Sequence, residues 1–178
     1  MIFYSRISNG GFMLKGQDIV VFAALMGDRR SDESYADLGA RTGISASEAH
    51  AAVRRLREAG LIGADRRVHR RNAAEFLLHG LKYVFPIRVD GRMAKGLPTS
   101  YAAPVAKGAF AVSGNVPVWQ TPSGEVHGLA IAPLYPTAPE AASRDCKLYD
   151  VLAVFDMLRG GRLRERQFAE HKIMKMLQ

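Results

Sequence analysis

The chain has 178 residues, 48% hydrophobic and 24% charged, which suits one domain of ordinary size, or one small domain with a sizeable extension, around a packed core and argues for no wholesale disorder. Lys and Arg number 25 against 17 Asp and Glu, a formal charge of +8, while the single cysteine, Cys146, excludes an intrachain disulfide and a thiolate cluster for a metal. No apolar run nears the roughly 20 residues that span a bilayer, and MIFYSRISNGGFMLKG lacks a signal-peptide pattern, so a soluble cytoplasmic protein is expected.

Residues 1–14 read as a lead-in without regular structure, because Asn9-Gly10-Gly11 interrupts it. GQDIVVFAALMGD then sets Ile19, Phe22, Ala23 and Met26 on one helical face, with Gly27 as the stop. SYADLGARTG predicts a short helix capped by Ser34, with Asp37 three residues on, closing at Gly43. Ser45 and Glu48 form the Ser-x-x-Glu pattern of a capping box, so the next helix begins at Ala46. Ala49, Ala52, Val53 and Leu56 share its apolar stripe, while Ser47, His50, Ala51, Arg54 and Arg57 occupy the opposite one. Gly60 ends it. Leu61-Ile62, a polar turn at Ala64-Asp65-Arg66, and Val68 predict a short hairpin. A helix through NAAEFLLHGLKYVF follows, with Ala73, Phe76, Leu77, Leu81 and, at its end, Tyr83-Val84 expected inward, and Pro86 stops it.

All eight prolines fall between positions 86 and 139, which predicts short strands and loops there. Val116–Trp119 and Val126–Ala132 are the strand candidates, around a TPSG turn, whereas RMAKGLPTSYAAP and PLYPTAP read as ordered loop. Tyr101, Phe110, Trp119 and Tyr135 either line a ligand cavity or anchor these loops to the core. KLYDVLAVFDML repeats apolar residues at Leu148, Val151, Leu152, Phe155 and Leu158, an amphipathic helix that offers a dimer or partner surface or else packs back within the chain. Gly160-Gly161 interrupt it, and RLRERQFAEHKIMKMLQ continues as helix. Cys146 reads as a partly buried structural thiol, with redox sensing as the alternative. The expected fold is α+β and mainly α. Residues 15–85 form a helical unit, 86–139 a Pro/Gly-rich segment, and 140–178 a C-terminal helical region.

The positive charge is confined to two blocks. Residues 54–71 hold seven arginines against Glu58 and Asp65, and residues 159–175 hold six basic groups against Glu165 and Glu170. Such blocks suit a polyanion, or merely solvate exposed helix faces. Leading into the first block, two helices joined by Thr42-Gly43-Ile44-Ser45 are the parts of a helix-turn-helix, and the second presents small or polar residues near its amino end. YADLGARTGISASEAHAAVRRLREAGLIGADRRVHRR, from Tyr35 to Arg71, resembles the winged helix-turn-helix of MarR-type transcriptional regulators. The resemblance rests on Leu38, Ala40, Thr42-Gly43-Ile44-Ser45, Val53, Leu56 and Glu58-Ala59-Gly60-Leu61-Ile62, and covers about residues 15–85. It implies that Ser47, His50, Ala51 and Arg54 face bases, that Arg66, Arg67, His69 and Arg70 form a basic wing, and that Ser34, Arg41 and Thr42, flanked by Arg55 and Arg57, meet the backbone.

The reading that follows is a sequence-specific regulator of transcription, a dimeric repressor on double-stranded DNA, with no cofactor. One alternative is a DNA-binding antitoxin or adaptor whose 86–178 region holds a partner protein. Another is a winged helix that docks proteins without DNA, and a third gives the basic tail an architectural or RNA-binding role. The five histidines lack metal-ligand spacing, and neither a nucleophile elbow nor a phosphate-binding glycine loop is present, so nothing points to an enzyme.

Overall fold

The computed structural model describes residues 13–28, 32–112 and 114–178, so most of the expected lead-in, residues 1–12, lies outside the described residues. Among the described residues the fold is α+β and mainly helical. The order is α1 (Gly16–Gly27), α2 (Tyr35–Thr42), α3 (Ala46–Glu58), α4 (Arg70–Glu75), α5 (Leu81–Val84), β1 (Val89–Pro98), β2 (Pro117–Gln120), β3 (Val126–Ile131), α6 (Ala138–Arg144), α7 (Cys146–Gly160) and α8 (Leu163–Met176). A wider π turn, Phe76–Gly80, joins α4 to α5, and Tyr83 and Val84 at the end of α5 are exposed rather than turned inward.

Every residue of α1 from Asp18 to Met26 is buried, not only the predicted face. A helix apolar on all sides must be enclosed, and α3 and α7 pack against it. α7 is the second enclosed helix, buried from Leu148 to Leu158 except at Asp150. This corrects the expected dimer or partner surface. Leu148, Val151, Leu152, Phe155 and Leu158 are at most 4% exposed, covered by α1, α5, α6 and α8 of the same chain. Each such side chain contributes roughly 1.5–3 kcal/mol when buried, which the chain already takes for itself. Cys146, the first residue of α7, is exposed rather than partly buried.

β1 is the longest strand and runs through GRMAKGLP, which the sequence suggests is loop. It pairs antiparallel with both β2 and β3, and those two pair parallel with each other, closing a three-stranded barrel. The TPSG turn therefore does not make a hairpin. Instead both strands converge on Gly96, partner to Gln120 on one side and Val126 on the other. A Cβ on Gly96 would strike the Trp119 carbonyl, one on Gly124 the Gly96 backbone, and one on Gly128 the Val116 carbonyl. So tight a closure needs bare backbone at these three positions.

A buried polar cluster fastens this unit to α7. The Asp156 carboxylate, 1% exposed, accepts from Thr99 Oγ1 at 2.9 Å and Trp119 Nε1 at 2.8 Å on one oxygen. Its other oxygen takes Arg159 Nη1 at 2.5 Å. Arg159 Nε also donates to the Phe85 carbonyl at 2.7 Å, reaching the end of α5. Burial holds the Asp156 carboxyl above its ordinary value, and Arg159, Thr99 and Trp119 offset only part of that rise. Three donors and no acceptor face it, which is the setting of a carboxylate. Tyr149 of α7 donates to the Pro98 carbonyl, and Trp119 packs on its ring at 5.9 Å. Tyr101, Phe110 and Phe168 follow in a chain of edge contacts, so these aromatics anchor loops.

Asp156→Ala strands a buried guanidinium and is expected to cost about 3–5 kcal/mol in urea unfolding; a loss under 1 kcal/mol would contradict the cluster's role. Burial, and then the Asp150 charge, push the Tyr149 phenol up to about 12. The fold favours the neutral phenol. Its contribution is complete below tyrosine's ordinary value near 10 and is lost as pH climbs toward 12. Stability followed across that interval should therefore fall less steeply in Tyr149→Phe.

Candidate nucleic-acid interface

Short-range chemistry sets the geometry of α2 and α3. Ser34 Oγ accepts from the Asp37 amide at 3.1 Å, starting α2, and Gly43 ends it in the left-handed region at φ 72°. Gly39 lies where a Cβ would sit 2.7 Å from the Ile44 carbonyl, so the helices approach through bare backbone. Ser45 Oγ accepts from the Glu48 amide at 3.2 Å, so α3 begins at Ala46 as predicted. Only half of the capping box forms, because Glu48 turns its carboxylate to Gln17 Nε2, 3.0 Å away.

The apolar stripe of α3, Ala49, Ala52, Val53 and Leu56, is fully buried. Ser47, His50, Arg54 and Arg57 are exposed on the other side, and Ala51 is half-buried beside them. Arg54 has no ion pair or hydrogen bond among the described residues.

Three predicted backbone contacts are corrected. Thr42 is fully buried, its hydroxyl donating to the Leu38 carbonyl at 2.6 Å. Arg55 faces inward and grips Asp18 with Nε and Nη2, both at 2.7 Å. The hydrogen bond to Asp18 raises the Arg55 pKa, against the opposing effect of burial. Arg41 is spent on Glu33, at 2.9 and 2.6 Å, and on the Ala24 carbonyl. Ser34 is exposed, and its hydroxyl donates to Asp37 at 2.7 Å.

The expected wing is a tight loop closed by one antiparallel bridge, Ile62 with Val68. Arg57 clamps it to α3 by donating to the Gly63 and Ala64 carbonyls at 3.3 and 2.6 Å. Arg66, at a left-handed φ of 61°, donates to the Glu33 carbonyl and lies 4.5 Å over the Tyr35 ring. The same ring meets the edge of His50 at 4.8 Å. Tyr35 thus ties loop, α2 and α3 together, a role without a sequence signal because its partners lie far along the chain. His69 Nδ1 meets the Gly60 carbonyl at 2.9 Å, which can only accept, so that nitrogen carries the proton. Arg67 is exposed in a solvent-screened pair with Asp65, and Arg70 is exposed without a partner among the described residues.

The result is a division of arginines. Arg41 and Arg55 are neutralised inside, Arg57 and Arg66 hold the loop, and Arg54, Arg67 and Arg70 face solvent on neighbouring segments. Among the described residues no cluster of His, Cys, Asp and Glu would hold a metal, and no helix is long and apolar enough to cross a membrane. No family model, characterised protein or solved structure matches the chain.

Tyr35→Ala removes the ring under Arg66, a contact worth about 1 kcal/mol. Amide exchange at Gly63 and Arg66 is expected to quicken about fivefold while global unfolding barely moves. Unchanged exchange at both amides would show that Tyr35 does not hold the loop.

Proposed function

We propose that this protein binds double-stranded DNA in a sequence-specific way and regulates transcription, most simply as a repressor that occludes a promoter. α3 enters the major groove, and residues 63–71 lie along the backbone or minor groove as a short wing. The observation that carries this reading is the exposed stripe Ser47, His50, Arg54, together with the solvent-facing Arg67 and Arg70 on the segment that follows α3. Small or polar side chains near the amino end of α3 let it approach base edges, and Arg54 reaches a guanine or a phosphate. A docking surface for proteins would place large apolar groups on this stripe, which carries none.

Two copies on a palindromic site would double the sequence read, although α7 does not supply the contact between them. Arg41, Thr42 and Arg55 take no part in binding on this reading. They position α3.

Fluorescence anisotropy against DNA from upstream of the gene and against random duplex, across a salt series, tests the proposal. Tighter binding to the upstream DNA is expected. Arg54→Ala should narrow that preference by about 1–3 kcal/mol. Arg67→Ala with Arg70→Ala should weaken both duplexes alike and lessen the salt slope by about 2. Failure to bind either duplex at low salt would refute DNA binding.

A further inference from the structure

We infer that α8 carries the DNA-binding surface past the wing, holding the backbone of duplex DNA that flanks the base-reading contact; the inference rests on the DNA reading above. A cleft of about 400 Å³ separates the wing from the end of α8, with Arg67 of the wing, Arg70 at the start of α4, the acids Asp28 and Asp65, and Met176 and Leu177 among its walls. The wing arginines and the last turn of α8 therefore share one rim.

α8 turns Ala169, Ile173 and Leu177 inward, all buried. At helical spacing on the far side lie Arg164, Phe168, His171 and Lys175. Lys172 stands one turn before Met176, on the stripe that leads to the cleft, its Nζ 5.1 Å over the Phe168 ring. That ring is itself held edge-on by Phe110 at 5.3 Å. Arg164 and Lys175 are exposed without an acidic partner among the described residues, and Asp150 of α7 is the acid that faces Lys172. Of the two acids of α8, Glu165 stands two turns before Lys172 on the same side of the helix. Glu165 caps the helix by accepting the Arg162 amide at 2.8 Å, and Glu170 lies a quarter-turn or more round from His171 and Lys175.

The outcome is a predominantly positive stripe that begins beside the wing, with Asp150 the acid next to Lys172. Its 14 residues extend about 21 Å, the length of about six base-pair steps at 3.4 Å each. A partner that offers a regular row of negative charge over that distance, continuous with what the wing touches, is the duplex itself.

The test compares wild type with the triple variant Arg164→Gln, Lys172→Gln, Lys175→Gln on random duplexes of about 10 and about 25 base pairs. The salt slope is read because the number of binding registers does not change it. The expected result is a slope on the long duplex lower by about 2–3 in the variant, with equal slopes on the short one and cooperative thermal unfolding retained. Equal slopes on both duplexes would overturn the flanking contact and leave the wing and α3 in place. A similar loss on both lengths would also overturn it, since the stripe would then lie within the core footprint. Failure of the wild type to bind either duplex would bring down the DNA reading and this inference together.

Discussion

One buried carboxylate determines how the two kinds of structure in this chain fit together. Asp156 sits in the middle of α7 and takes donors from the end of β1, from β2 and from Arg159 one turn further along its own helix. Arg159 then reaches the backbone where α5 ends. Hydrophobic packing alone would tolerate several ways of laying a small sheet on a long helix, because it has no direction. A charge in a dry interior does not, since every misplaced donor leaves a group unsatisfied at about 1–3 kcal/mol. Apolar residues of similar volume would fill the space without choosing among those placements.

The arginines follow a similar rule of place. Thirty-seven positions apart in sequence, Asp18 and Arg55 meet with two parallel hydrogen bonds and fix α3 on α1. Glu33 does the same for Arg41. Fixing these inward pairs gives the outward residues of α3 a definite direction. The total charge of +8 says little about binding until the cations that serve the fold are separated from those that face water.

Elements whose cues are local were legible in the sequence. The Ser34 and Ser45 caps, the glycines at 43 and 60, and the two-sided pattern of α3 all depend on residues within a turn of one another, and each appears where expected. β1 was not legible. Its glycines, lysine and terminal proline favour no strand, and it exists because β2 and β3 pair with its two edges. The same limit explains the error over α7. Apolar residues at helical spacing mark something that will be covered without saying by what, and here the cover is α1 from the other end of the chain. At the interface, exposure of Ser47, His50 and Arg54 followed from periodicity. Arg41, Thr42 and Arg55 did not, because an acid's distance in space cannot be read from its distance in sequence.

The enclosed α1 also bears on how the chain is made. Its partner α7 starts about 120 residues later, and translation at roughly 5–20 residues per second leaves α1 without that cover for on the order of ten seconds. During that time VVFAALM emerges with nothing to shield one flank, an apolar segment of the kind that nascent-chain chaperones hold. Folding of the amino-terminal half must wait for the carboxy-terminal half. α1 is made well before the helix that completes its enclosure.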